Sequence, residues 1–263
     1  MIQRLAPAKI NLDLAIVGKR TDGYHLLDSQ VVFAEFGDIL GFQLAEDISL
    51  KTEGSFAQDA GQGDNLILHA AELLRKTCRI NKGAAITLDK RIPVGAGLGG
   101  GSSDAAVTLK TLNALWDCKL DTETLCRIGV TLGADIPVCI HARPLRMQGI
   151  GEKVTLTSFP EVPPYCLLVK PKASLATKEI YAHVRFDTED ANQLQPAAVA
   201  LCPEIAEVIT ALTEQEGCGL ARMTGSGSAC FGLFSDAEAV SVAQKTIART
   251  HPEWWVQPTL LQH

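Results

Sequence analysis

No two of the eight cysteines stand in C-x-x-C spacing, and the six histidines are scattered without metal-ligand spacing. A protein-only zinc site is therefore not expected, nor is a disulfide framework in a chain long enough to bury its own core. Cysteines inside apolar runs, such as Cys139 and Cys166, read as small reduced core residues. Aromatic residues make up 5% of the chain and there is no excess of basic charge, the net charge being −6. Nucleic acid and anionic lipid are thus not expected partners. No apolar run approaches the roughly 18–20 residues of a membrane span, and the region of Arg4, Pro7 and Lys9 has no signal-peptide core. A cytoplasmic protein is the expectation, with 263 residues divided between two domains.

What the sequence has in abundance is glycine at one place. Pro93-Val94-Gly95-Ala96-Gly97-Leu98-Gly99-Gly100-Gly101-Ser102-Ser103 packs five glycines into seven positions and then meets a helix-forming run, Asp104 to Leu115. Consecutive amide groups can turn toward one centre only where no Cβ intervenes, and a following helix adds a positive end, so the composition suits a phosphate. A tight turn needs one or two glycines, not five. Ala84 to Leu88 reads as a strand before the loop. No lysine follows the glycines, which excludes the P-loop pattern. Gly95, Gly97 and Gly100 do fit G-x-G-x-x-G, the dinucleotide pattern of an oxidoreductase. That unit needs a strand after the helix, ending in an acid about 20 residues on. Here Asp121 to Ile128 reads instead as a second, N-capped helix.

Met1 to Val17 alternates as a strand, with Lys9 and Asn11 on one face and Ile10, Leu12 and Leu14 on the other. The pattern fits the rim of an active site, although a solvated face is the commoner arrangement for such a strand. Gly18 to His25 is a polar loop, in which Tyr24 and His25 could stack on and read a flat ring. A strand around Val31-Val32-Phe33 follows, then hairpin-like sequence from Asp38 to Leu50. A polar loop from Gly54 to Gly63 leads to a cap at Asp64-Asn65. The helix Leu66 to Cys78 is expected to bury Leu66, Ala70, Leu73 and Leu74. Asp135 lies between Ala134 and Ile136 just before Pro137, which reads as an acid at the C-terminal end of a helix, opposed to the macrodipole. The domain boundary is placed in the proline-rich stretch near Phe159, dividing the chain into 1–158 and 159–263. Beyond it Tyr165 to Val169 reads as a strand, Thr177 to Val184 and Cys202 to Gly217 as helices, and Thr224-Gly225-Ser226-Gly227-Ser228 as a second close-approach loop. Gly232 to Phe234 as a strand, Ala237 to Arg249 as a helix and a last strand from Trp254 to Leu261 complete the reading.

Taken together, Pro7-Ala8-Lys9-Ile10-Asn11-Leu12, the Pro93 to Ser103 loop and Thr224 to Ser228 resemble the three signature motifs of the GHMP kinase superfamily. Asp22-Gly23-Tyr24-His25 and Gly133-Ala134-Asp135-Ile136-Pro137 resemble the branch whose substrate is a cytidine-diphosphate-linked methylerythritol of the non-mevalonate isoprenoid route. The resemblance implies an α+β fold of two domains, the first like domain 2 of ribosomal protein S5 and the second ferredoxin-like. It implies transfer of the γ-phosphoryl group of ATP, arriving with Mg2+, to the 2-hydroxyl of that alcohol, in a monomer or weak homodimer. Lys9 and Asp135 match the catalytic pair, Pro93 to Ser103 the ATP loop, and Asn65 and Lys90 its adenine-side contacts. Tyr24 and His25 match the cytosine contacts, and Asn11 a polar contact near the transferred phosphate. Beside this stand a GHMP kinase for another small alcohol, the dinucleotide oxidoreductase, and a nucleotide-binding regulatory module with no need for Lys9 and Asp135.

Overall fold

A computed structural model describes residues 1–61, 65–184 and 190–262. Seven strands form the first sheet: β1 (Ile2–Asn11), β2 (Ala15–Lys19), β3 (His25–Ala45), β4 (Ser49–Glu53), β5 (Gly83–Asp89), β6 (Leu145–Gly149) and β7 (Lys153–Leu156). The expected first strand divides near Leu12, and its two parts, β1 and β2, both lie against β3. At 21 residues β3 is the spine, pairing with β2 and β6 near its start and with β1 and β5 further on.

The expected hairpin from Asp38 to Leu50 does not form. Asp38 to Ala45 continues β3, and β4 pairs in parallel with β5, which lies between them. Gly83 at the start of β5 makes this possible, because a Cβ there would overlap the backbone of Asp47 in the connection between β3 and β4.

Helices α1 (Leu66–Cys78), α2 (Gly100–Leu115), α3 (Thr122–Val130) and α4 (Ile136–His141) share a buried cluster with this sheet. The α1 cap is the Asn65 side chain, which accepts from the Ile67 amide at 2.9 Å; Asp64 and Gly63 lie outside the described residues. The buried stripe is Ile67, Ala70, Ala71 and Leu74. Leu66 and Leu73 are only half-buried, and Leu66 faces the cleft described below.

A second, four-stranded antiparallel sheet has the order β11-β8-β10-β9, built from β8 (Tyr165–Lys170), β9 (Cys218–Met223), β10 (Cys230–Phe234) and β11 (Trp255–Leu260). The short α5 (Thr177–Ala182) precedes α6 (Gln195–Leu201), α7 (Glu204–Thr213) and α8 (Ala237–Thr250). The expected helix from Cys202 starts two residues later, because Pro203 takes the cap position of α7; α6 and β9 carried no clear sequence pattern. Strand β1 joins the two halves. Its Ile10, with Leu12 just beyond its end, packs with Val32 and with Leu168 and Phe231 of the second sheet, while Lys9 and Asn11 turn the other way, toward the cleft. Those two side chains are buried, not solvated, at 3% and 1% exposure.

Candidate active site

The glycine-rich loop leaves β5 and ends on α2, as its flanking patterns imply. Gly97 and Gly99 have φ of +75° and +66°, where a side chain is disfavoured. A Cβ on Gly97 would stand 2.7 Å from the backbone of Thr224 and Gly227, so the two glycine loops touch main chain to main chain. Gly99 is the N-cap of α2 and offers no side chain to the first turn. The first amides of the helix therefore keep their donors for a ligand. The loop is pinned to β1 by the Lys9 amide, which donates to the Leu98 carbonyl at 2.8 Å, and to the second half by Ala229, which donates to the Ala96 carbonyl at 3.1 Å.

Beneath the loop lies a buried group of charges. Lys90 Nζ donates to Asp38 Oδ2 at 2.6 Å and to Asp104 Oδ2 at 2.7 Å. Burial pulls the Lys90 ammonium down, but Asp104 and Asp38 outweigh it and hold its pKa above the ordinary lysine value. Burial pushes the Asp104 carboxyl up to about 7, against the pull of Lys90 and with the help of Asp38. Asp104 Oδ1 and Ser103 Oγ are buried without hydrogen-bond partners.

The two residues expected to form a catalytic pair, Lys9 and Asp135, meet. Lys9 Nζ lies 3.4 Å from Asp135 Oδ2, with side-chain exposures of 4% and 36%. The ammonium also donates to Asn11 Oδ1 at 2.6 Å; Asn11 Nδ2 in turn donates to Ser29 Oγ at 2.7 Å, and Ser29 Oγ to the Asp13 carbonyl at 2.6 Å. The Asn11 amide donates to Thr224 Oγ1 at 2.8 Å, so a residue of the third motif helps to hold the first. Asp135 corrects one expectation. It stands at the N-cap of α4 with Pro137 in the first turn; proline opens this helix rather than ending one, and the acid is aligned with the macrodipole instead of opposing it. Its carboxylate makes no capping hydrogen bond and points to Lys9.

The opposite wall is aromatic. Tyr24 is 60% exposed, and the His25 ring stacks on Tyr181 of α5, with centroids 5.1 Å apart and planes 19° apart. Burial, followed by the charge of Lys19, lowers the His25 pKa from its ordinary value. Burial raises that of Tyr181, which remains a phenol.

A single cleft of about 1050 Å³ is lined by Lys9, Asn11, Tyr24, His25, Asn65, Lys90, the loop from Pro93 to Ser102, and Asp135. Of the residues expected in the site only Ser103 is absent from its lining, because it lies on the inner face of α2 and is fully buried. Lys90 does line the cleft, but its ammonium is committed to two carboxylates. Sequence patterns did not single out Tyr181, Thr177, Ser29, Asp38 or Asn192. Thr177 Oγ1 lies 3.0 Å from Ser226 Oγ, and Asn192 Nδ2 donates to the Met223 and Gly225 carbonyls at 2.9 Å each. Each is an isolated polar residue without a repeating pattern; only their partners, Ser226 and Gly225, stood in a recognisable cluster.

Since α2 is followed by α3 and not by a strand, the dinucleotide unit of an oxidoreductase is absent. A glycine loop on a helix N-terminus, braced by a second glycine loop and facing a Lys–Asp pair, defines a small-molecule kinase of the GHMP class. The model of the GHMP kinases N terminal domain matches residues 65–143, and that of the GHMP kinases C terminal domain matches 177–251. A 4-diphosphocytidyl-2-C-methyl-D-erythritol kinase of Paramagnetospirillum magneticum is 42% identical, over 97% of each chain. One of Brucella melitensis is also 42% identical, over 98% of this chain and 94% of its own. The crystal structure of a 4-(cytidine 5'-diphospho)-2C-methyl-D-erythritol kinase superposes with a TM-score of 0.85 at 31% identity, covering 100% of both chains. The Methanococcus jannaschii mevalonate kinase, at TM-score 0.72 and 13% identity over 100% of this chain and 98% of its own, shares the fold. The chain belongs to the 4-diphosphocytidyl-2-C-methyl-D-erythritol kinase family of the GHMP kinases.

Proposed function

We propose that this cleft transfers the γ-phosphoryl group of ATP to the 2-hydroxyl of 4-diphosphocytidyl-2-C-methyl-D-erythritol, a step of non-mevalonate isoprenoid synthesis, in the cytoplasm. The observation that carries the reading is the position of the Lys9–Asp135 pair in one cleft with the glycine loop and the His25–Tyr181 stack. Phosphoryl transfer asks little covalent chemistry of a protein and depends on in-line positioning and charge stabilisation. The loop amides and the α2 N-terminus hold the triphosphate. Asn65 and the backbone at Lys90 border the adenine, while Tyr24, His25 and Tyr181 grip the cytosine. Asp135 orients the acceptor hydroxyl and takes its proton. Lys9, held in line by Asn11, offers its ammonium to the moving phosphoryl oxygens.

Among the described residues no three His, Cys, Asp or Glu side chains gather to hold a metal. The donor chemistry suits Mg2+ carried in on the phosphates, with Ser102 at the first turn of α2 as the side chain that would touch it. When bound, the ion supplies neutralisation of phosphate charge. The working unit we propose is a monomer or weak homodimer.

The test is ATP-dependent phosphorylation of the cytidyl alcohol by the purified protein beside Asp135→Asn and Lys9→Ala. Both variants are expected to lose roughly 100-fold or more in kcat, with ATP binding retained in Asp135→Asn. Wild-type ATP binding without turnover of this alcohol would leave a kinase for another acceptor.

A further inference from the structure

Five glycines make the phosphate loop adaptable, and that adaptability opposes its task. A glycine chain that must present several amides to one triphosphate loses more conformational freedom on ordering than any other, so affinity depends on how far the loop is ordered beforehand. Its two stems are Arg91-Ile92 on the incoming side and the first turn of α2 on the outgoing side.

Both stems end on the same buried charges. Asp38 Oδ1, from the middle of β3, accepts from the Arg91 amide at 2.6 Å and from the Ile92 amide at 2.8 Å. Asp38 Oδ2 accepts from Lys90 Nζ, which donates its other hydrogen bond to Asp104 Oδ2 on α2. Lys90 runs directly under the outgoing stem, for a Cβ on Gly100 would lie 3.2 Å from its Nζ. All three side chains are buried, at 5% exposure or less.

We infer that the Asp38–Lys90–Asp104 triad is a strut that fixes the distance between the two stems of the phosphate loop, and that these three are positioning residues for ATP. The inference rests on the kinase reading and assigns to the Lys90 ammonium a role beneath the nucleotide site instead of a contact with adenine. Two carboxylates about one ammonium are poor value as stability alone, since burying ions returns little net free energy. They do set geometry, because charge-assisted hydrogen bonds are short and directional. The strut touches the ATP side of the cleft, whereas the cytosine wall of Tyr24, His25 and Tyr181 hangs on the first residue of β3, well before Asp38 in that strand, on the loop before it, and on α5. Loosening the strut therefore separates the two substrates in a way that a general loss of packing does not.

The experiment compares Asp104→Leu with Asp104→Asn. Removing one carboxylate leaves Lys90 paired with Asp38, so no buried charge is stranded; Leu keeps the branched skeleton without the charge but is bulkier, and Asn matches the volume of Asp. With Asp104→Leu, KM for ATP is expected to rise about tenfold, while KM for the cytidyl alcohol stays within about twofold of wild type. Asp104→Asn, which keeps an oxygen for Lys90, recovers most of the ATP affinity. Wild-type turnover in the same assay tests the kinase reading separately. Should Asp104→Leu fail to fold, Asp38→Asn takes its place, with KM for ATP raised and faster hydrogen exchange at the amides of 94–99 in the nucleotide-free enzyme. A lowered melting temperature with KM for ATP unchanged, or equal rises in both KM values, would overturn the inference.

Discussion

His25 lies where burial and the charge of Lys19 both disfavour its protonation. With its pKa below the ordinary 6.5, the imidazole stays neutral through the near-neutral range, the form that the proposed cytosine contact would use. Protonation would remove the acceptor and charge the stack. KM for the cytidyl alcohol should thus be level from about pH 8 to about 6.5 and rise only below that. His25→Asn should have a higher KM but no acid limb, and an acid limb of the same size in this variant would assign the titration elsewhere. Tyr181 forms the other side of the stack. An aromatic pair contributes about 1 kcal/mol beyond its area, so Tyr181→Leu should raise KM for the cytidyl alcohol about fivefold and leave KM for ATP unchanged. Steady-state kinetics with each substrate varied in turn reads both effects. Tyr181 itself could not be found by pattern, because α5 is a single short helix and a lone tyrosine in it reads as core.

At the scale of elements, the site is a contact between two loops. Gly97 and Gly225 approach so closely that a Cβ on Gly225 would stand 2.7 Å from the Gly97 carbonyl. Gly95 also has positive φ, at +67°, but has open space where a Cβ would go. The two positions should therefore differ on alanine substitution. Gly95→Ala meets backbone strain of about 1 kcal/mol and should change KM for ATP by less than about tenfold. Gly97→Ala forces the loops apart as well and should lower kcat/KM for ATP by about 100-fold. Equal effects at the two positions would show that loop contact is unimportant. Elements with strong local signals were legible in the sequence: the strand, glycine loop and helix from Gly83 to Leu115, the Asp121 cap of α3, and α8. Those decided by distant partners were not. The expected hairpin from Asp38 failed because β5, a strand more than thirty residues further on, fits between its arms. Alternation alone favours a solvated face for Lys9 and Asn11, because it reports that two faces differ, not that the polar one is covered by the glycine loop and the Thr224 loop. Asp135 was assigned to the wrong end of a helix because proline is equally at home at the start of the next one.

At the scale of the whole molecule, the two sheets are joined across the cleft floor by more than a linker. The Leu14 amide donates to the Ala191 carbonyl at 2.7 Å, the Gln193 amide returns to the Leu14 carbonyl at 2.9 Å, and Arg222 Nη1 reaches the Leu12 carbonyl at 2.7 Å. One buried cluster holds Leu40 and Ile86 of the first sheet together with Leu167 and Phe234 of the second. Domains joined by a small polar interface move and unfold separately, whereas a shared apolar core couples them. The protein should consequently melt in one calorimetric transition, although its proposed domain boundary near residue 158 lies in a proline-rich connection. ATP with Mg2+ at about a hundredfold its Kd should add about 2.7 kcal/mol of stability and move that transition as a unit. Two transitions, with only the first shifted by nucleotide, would mean that the halves fold independently. In that case the Lys9–Asn11–Thr224 chain would form only when the cleft is assembled, and catalysis would depend on closure.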